Sequence, residues 1–291
     1  MNQLNRGNAP LPIRIFRALK SFLKLMRSVI IREITMKQFI LDIKFRFIAQ
    51  SRILNDDFDW EKYPNYYKEE LKSISRLHTL IIRDENFRLH KGKLVKRDSE
   101  VKDLHPNHHV LYRAVLNLHP TTVLEVGCGG GDHLSNIKEL SPGIKLYGVD
   151  RSPSQLKTFE DRHPDLSKIA SVVDITERDC KLQKVDLIFT QAVLMHISEK
   201  DERFHNALEN IFESAENFVV LVENWTQHNF LDEIRKIQSN NSGWKNSYLY
   251  FIQSDYNEFS SALIISKSEL PDMDKLTSYE QLLAGRKVLV H

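Results

Sequence analysis

Three glycines alternate with single residues in the stretch VLEVGCGGGDHL, at Gly127, Gly129 and Gly131, directly after an apolar run. Glycine at such a place lets the backbone turn sharply and lets a ligand approach the main chain without a Cβ in the way. Three acids accompany the turn: Glu125 before it, Asp150 at the end of LYGVD, and Asp174 in VVDIT. A carboxylate at the end of a second strand can accept both hydrogen bonds of a ribose diol. One beside the turn can face a cation or hold loop amides. Arg151 adjoins Asp150 and is counted with it. This set suits a ligand with an adenosine and a positive charge better than one with two phosphates. The dinucleotide fingerprint needs a glycine at position 132, where the chain has Asp132, and no Gly-Lys-Ser/Thr follows to make a phosphate loop.

A second set of residues lies downstream. His196 stands in QAVLMHI, and ENWTQHNF brings Glu223, Asn224, Trp225, His228 and Asn229 into one short stretch. Histidine suits proton removal near neutrality, so His228 is the first choice for a general base and His196 the second, the latter also readable as a histidine that shapes its loop. Glu223, Asn224, Trp225 and Asn229 read as a substrate wall, apolar at the indole and hydrogen-bonding elsewhere. His105, His108 and His109 lie close together but have no acid cluster beside them, so no metal is expected. Cys128, with no basic neighbour in sequence, reads as small packing and not as a nucleophile.

These residues need a scaffold that brings strand ends together. Short apolar runs at Val123 to Val126, Lys145 to Val149, Ile169 to Val173, Val185 to Thr190 and Phe218 to Val222 alternate with helical stretches. Strands apolar on both faces and separated by helices predict a parallel sheet covered on both sides. SYLYFIQ and SALIISK, joined by the polar SDYNEFS, predict an antiparallel pair at the end. The expected fold is α/β, a doubly wound Rossmann-like sheet, mostly parallel, with an antiparallel C-terminal strand pair and a helical N-terminal extension.

Size and charge frame this. A chain of 291 residues, 41% apolar, holds one substantial core with an appendage. Two cysteines exclude a disulfide framework and suit a reducing compartment. The net charge of +2 is unevenly spread: positions 1–50 carry ten Lys/Arg against Glu33 and Asp42. There Ile15, Leu19, Phe22, Met26 and Ile30 recur at helical spacing, with Arg14, Arg17, Lys20, Lys24 and Arg27 on the other side. This basic amphipathic helix is too interrupted by charge to span a bilayer. It reads as a solvated face, a peripheral membrane contact or a transit segment. The remainder of the chain is net acidic, which disfavours a nucleic-acid groove on the core. Four regions follow: a basic helical extension over 1–55, a helical cap over 56–104 with Leu71, Ile74, Leu77 and Ile81 on one face, a catalytic domain over 105–267 and a polar tail over 268–291.

From about His105 to Lys267 the sequence resembles the class I S-adenosylmethionine-dependent methyltransferases. VLEVGCGGG stands as the first motif, LYGVD and VVDIT as the second- and third-strand acids, VDLIFTQAVLMHI as the fourth motif, and the terminal strand pair completes the order. The resemblance implies S-adenosylmethionine as cofactor, Gly127 and Gly129 at its methionine moiety, Asp150 at the ribose, Asp174 with Ile175 at the adenine, and Gln191 under the sulfonium. Arg113 then pairs with the methionine carboxylate, Tyr112 packing against it, unless it is simply a surface residue. QAVLMHI and ENWTQHNF are loosely similar to methyltransferases of surface-polysaccharide and related glycan pathways. The acceptor expected is thus a hydroxyl of a sugar, glycan or small metabolite, methylated in the cytoplasm, with peripheral contact at the inner membrane face. The Asn/Asp-Pro-Pro-Tyr/Phe motif of base methylation is absent, since the fourth strand ends in TQAV. The rivals are a noncatalytic binder of the same cofactor and a NAD-dependent oxidoreductase.

Overall fold

The computed structural model describes residues 60, 87–90, 93–96, 99–100, 105–254 and 260–283. All belong to one of the two compact units into which the chain divides, Asp59–Pro64 with Leu77–His291. The basic helix expected over 1–55, and the face of Leu71, Ile74, Leu77 and Ile81, lie outside the described residues.

Three short strands come first: β1 (Phe87–His90), β2 (Lys93–Lys96) and β3 (Ser99–Glu100), antiparallel in that order. The segment over 56–104, expected as a helical cap or lid, carries these strands in its described part. His90 pairs with Lys93, so only Lys91-Gly92 separates β1 from β2, and a two-residue connection ending in glycine is a hairpin signal.

The main sheet has seven strands. They are β4 (Thr122–Val126), β5 (Lys145–Asp150), β6 (Ala170–Val172), β7 (Val185–Gln191), β8 (Ala215–Val222), β9 (Tyr248–Gln253) and β10 (Ser261–Ser266). Their order is β6-β5-β4-β7-β8-β10-β9. The first five are parallel, and β10 runs antiparallel to both β8 and β9. Strand order reverses between β4 and β7, and the crevice at the carboxyl ends on either side of such a reversal is where open α/β sheets bind ligands.

Alternation along the strands divides the core in two. Val123, Leu187, Phe189, Val220, Val222 and Ile264 face one side. That side is covered by α1 (Pro106–Asn117), α2 (Asp132–Leu140) and α3 (Pro153–Arg162). Leu124, Val126, Ile188, Val219, Leu221 and Leu263 face the other, under α4 (Arg203–Ser214) and α5 (Phe230–Asn240). α4 shows why it docks: Phe204, Ala207, Leu208, Ile211 and Phe212 recur at three- and four-residue spacing, and all are buried. Each large side chain among them contributes about 1.5 to 3 kcal/mol by leaving water. Starts are set locally. Ser152 accepts from Gln155 N with Pro153 at the first turn of α3, and Asn229 accepts from Asp232 N at α5.

Of the polar tail expected over 268–291, the described part to residue 283 packs on this domain. Phe251 N donates to Asp274 O and Leu276 N to Leu249 O, so the chain runs back along the edge strand β9. Leu282 is buried. Among the described residues no helix is long and apolar enough to cross a membrane.

Candidate active site

The glycine turn leaves β4 at the strand-order reversal. Gly127, Gly129 and Gly131 all have positive φ, at 74°, 49° and 79°. A Cβ on Gly127 would sit 2.3 Å from Val193 Cγ2, so the turn after β4 touches the turn after β7 with no room for a side chain. Gly131 does a different job. A Cβ there would enter the Phe159 ring at 2.2 Å, so this glycine packs α2 against α3. Only Gly129 looks into space, its nearest neighbour being Gln155 Oε1 at 3.9 Å.

The acids converge on this turn. Asp150 ends β5, where its Oδ2 accepts from Gly129 N at 2.9 Å and its Oδ1 from Ser152 N at 2.9 Å. An ionised carboxylate has about four lone-pair sites, so a ribose diol can be accepted beside these amides. Glu125 is buried at 2% exposure, and its Oε2 has no hydrogen-bond partner. Burial, then the nearby charges of Asp132 and Asp150, push its carboxyl well above the usual range. A cation placed there would relieve both effects. The cofactor implied by the resemblance fits these residues: a ribose diol for Asp150, an ammonium and sulfonium for the orphaned Glu125, and an open glycine between them.

Around the rim, Asp174 Oδ1 accepts from Thr176 N and Oγ1, and Arg151 Nε stands 4.0 Å from Asp174 Oδ2, both side chains partly exposed. Ile175 places its side chain in the core, its carbonyl accepts from Asn210 Nδ2 at 2.9 Å, and its amide has no partner among the described residues. Asp132, where a dinucleotide site needs glycine, instead joins α2 to Arg162 and His163 at the end of α3, with 3.0 Å to His163 Nε2. Burial raises the Cys128 thiol well above its ordinary value, which keeps it inert. Among the described residues no group of three or more His, Cys, Asp or Glu could hold a metal.

Arg113 and Tyr112 are not placed as the sequence reading expects. Arg113 Nη1 donates to Gln253 O, on β9, at the far edge of the sheet from β4. Tyr112 is fully buried and bonds His133 and Asn136 of α2. Position along α1 decides this: consecutive residues point about 100° apart, so one faces α2 and the next faces the strand pair.

The substrate wall read from ENWTQHNF is corrected in most of its members. Glu223 Oε1 accepts from Thr190 Oγ1 at 2.8 Å, Val193 N at 3.1 Å and Leu194 N at 3.2 Å, and its Oε2 accepts from Met195 N at 3.1 Å. It clamps the turn after β7, in which Ala192 holds a left-handed backbone at φ 54°, a strain that persists only where surroundings over-determine it. Burial raises the Glu223 carboxyl to about 6 against those bonds. Asn224 folds over its own loop, accepting from Thr226 N and Oγ1. Trp225 is buried at 1% exposure with its edge against Phe230, which makes it core. Asn229 is exposed and caps α5.

His228 remains, with partners invisible in the sequence. Its Nδ1 bonds Glu199 Oε1 at 2.9 Å, its ring stacks on Phe204 with centroids 4.3 Å apart, and Phe230 meets it edge-on at 5.6 Å. Its Nε2 is buried without a partner. His196 is a neighbour: burial, then the charge of His228, lowers it to about 4, and its Nδ1 is likewise unpartnered. Trp60, from the segment before β1, lies 5.4 Å from the His196 ring. Tyr279 Oη shares its one proton between Trp225 O and His228 O, 2.6 and 2.8 Å away, so the C-terminal segment holds the loop that carries His228. Glu199, Trp60 and Tyr279 were missed because each is remote in sequence from the motif it serves.

Known proteins supply the family. A family model described as a methyltransferase domain matches residues 119–275, more than half of the chain. Malonyl-[acyl-carrier protein] O-methyltransferase 1 of Ilyobacter polytropus is 30% identical over 84 residues, 29% of this chain and 31% of that protein, so the match spans about a third of the relative's length. Solved structures that align include magnesium protoporphyrin IX methyltransferase from Synechocystis PCC 6803 with bound SAM, at 20% identity and a TM-score of 0.42, covering 54% of this chain and 75% of that one. The methyltransferase domain of bacterial CtHen1 aligns at 17% identity and a TM-score of 0.45, covering 55% and 97%. With the family model matched over that length, on residues that include the glycine turn and the acids at three strand ends, the chain belongs to the methyltransferase-domain family.

Proposed function

We propose that this methyltransferase acts on an oxygen, a hydroxyl of a sugar, glycan or other small metabolite, and that His228 is its general base. The observation that carries the reading is the Glu199–His228 pair, in which one ring nitrogen is fixed by a carboxylate and the other is left unpartnered. A hydroxyl acceptor must lose a proton, and an imidazole held in one tautomer by a carboxylate receives it at the opposite nitrogen. Phe204 and Phe230 hold the ring in place. His196, kept neutral by its surroundings, and Trp60 line the same side, and the indole face suits the apolar face of a sugar ring.

Bound S-adenosylmethionine supplies an electrophilic methyl group on a sulfonium. The chain's own part is positioning: Asp150 accepts from the ribose, Glu125 faces the cationic end, Gly129 gives the close backbone approach, and Asp174 with the Ile175 amide frames the adenine. The partial likeness to a protein named as an O-methyltransferase favours oxygen over nitrogen. A lipid-linked glycan acceptor and a peripheral membrane contact suit the basic segment over 1–55, while the net-acidic remainder disfavours nucleic acid.

Calorimetric titration with S-adenosylhomocysteine, S-adenosylmethionine and NAD in parallel tests the cofactor site. Micromolar binding of the first two, about −8 kcal/mol, with none of NAD is expected. Binding of NAD alone would overturn it. Transfer of labelled methyl to hydroxyl acceptors, lost in His228→Ala, tests the chemistry.

A further inference from the structure

Behind the glycine turn a chain of polar side chains runs from α2 to the end of β7, and the orientation of the Asn136 amide sets its hydrogen-bond directions. Asn136 Nδ2 donates to Tyr112 Oη at 2.7 Å. A phenol has one proton, so with that acceptor role filled Tyr112 gives its own to His133 Nδ1, 2.9 Å away. His133 must then carry its proton on Nε2, which lies 3.3 Å from Gln191 Oε1. The order is Asn136 to Tyr112 to His133 to Gln191. The members are held in place: Tyr112 and Asn136 are buried, and the His108 ring meets His133 edge-on at 4.5 Å. Burial lowers the His133 pKa, so the ring stays neutral and the order holds at physiological pH.

The consequence lies at the end of the chain. Gln191 is the last residue of β7, beside the turn that touches Gly127, and is half-buried. Its carbonyl oxygen is turned back to His133, and its amide nitrogen has no partner among the described residues. Resemblance places Gln191 under the sulfonium, where an oxygen would suit a cation. With the oxygen so engaged, the group left for a ligand is N–H, which suits an oxygen.

We propose that His133 is a positioning residue that locks the Gln191 amide with its N–H groups toward the cleft, where they hydrogen-bond an oxygen of the methyl acceptor. What Gln191 meets rests on the methyltransferase reading; the order of the bonds does not. His133 acts through Gln191 and need not touch the acceptor. The expected acceptor therefore presents a lone-pair oxygen, hydroxyl or carboxylate, to this corner, while an ammonium there is rejected because donor would face donor.

Nuclear magnetic resonance of the full chain tests this at neutral pH. Histidine 15N correlations should show His133 as the Nε2–H tautomer, with an Nδ1 resonance shifted by the bond from Tyr112 that moves to that of an unbonded acceptor nitrogen in Tyr112→Phe. The Gln191 side-chain amide signals, identified by their absence in Gln191→Ala, should shift in His133→Phe and return in His133→Gln, whose own amide can donate to Gln191. Sodium acetate added to the S-adenosylhomocysteine complex should move those signals downfield, several-fold less in His133→Phe, and methylammonium should not move them. An Nδ1–H tautomer in the unaltered protein, Gln191 signals indifferent to His133→Phe, or no response to acetate would each overturn the proposal. A failure of S-adenosylhomocysteine to bind in calorimetry bears on the cofactor site and leaves the tautomer result standing.

Discussion

On the β5–β4 side of the cleft the groups proposed to meet the cofactor are backbone or carboxylates one bond from backbone: the turn of Gly127 and Gly129, and Asp150 with an oxygen on each of two loop amides. On the β7–β8 side they are side chains braced by other side chains. His228 leans on Glu199, Phe204 and Phe230, and Gln191 on His133. The first construction suits a ligand that does not change. The second can be re-aimed by substitutions at a distance, which is how one fold serves many acceptors.

The largest effects should fall on the first side. Asp150→Ala removes the ribose acceptors and also strands the amides of Gly129 and Ser152. Affinity for S-adenosylhomocysteine should drop by about 2 to 4 kcal/mol, since buried donors are left unpaired. Calorimetry reads this directly, and an unchanged dissociation constant would remove Asp150 from the site. His228→Ala should split the two sides: turnover about 10²-fold lower or more, as for loss of a general base, with S-adenosylhomocysteine affinity intact. If affinity fell equally, the two sides would not be separable.

This division also governs what the sequence reveals. Strand runs, glycine spacing and strand-end acids are local and periodic, and every strand expected after Pro106 is present within a few residues. The mostly parallel sheet with its antiparallel C-terminal pair is as expected, and the structure sets the Asp150 carboxylate on the Gly129 amide. Trp225 and Asn229 read as substrate contacts because aromatic and amide side chains near a strand end look functional. Whether an indole points into the core or the cleft is settled by α5 and the C-terminal segment, which no local pattern reports. His133 is the converse: it follows the glycine motif directly, yet its value depends on Tyr112, well before it in sequence, and on Gln191, far beyond it.

Glu223 sharpens the comparison through pH. Its folded pKa, about 6, lies above the ordinary 4.5. The stability it contributes is therefore fully present below pH 4.5 and is lost as pH rises through 6, by about 2 kcal/mol in total. Glu223→Gln does not titrate there, and its amide nitrogen would face other donors of the turn after β7. Chemical denaturation should find the variant most destabilised relative to the parent near pH 4.5, with the gap narrowing by about 2 kcal/mol toward neutral pH. A gap that does not change with pH would mean that Glu223 is not held as a buried carboxyl.

The smallest effect tests the residue whose role changes most between sequence and structure. Asn229 precedes the first turn of α5, where its Oδ1 accepts from Asp232 N and its Nδ2 donates to the Asp232 carboxylate. Replacing such a cap by alanine leaves a helix amide unpaired and costs about 1 kcal/mol. His228 is one residue before it, so the cap and the base share a loop, but that loop is also held by Tyr279 Oη at His228 O. Asn229→Ala should thus lower the denaturation free energy by about 1 kcal/mol while acceptor KM and turnover stay within about twofold. A raised KM at unchanged stability would return Asn229 to the substrate wall and show that the acceptor reaches beyond His228 to the start of α5.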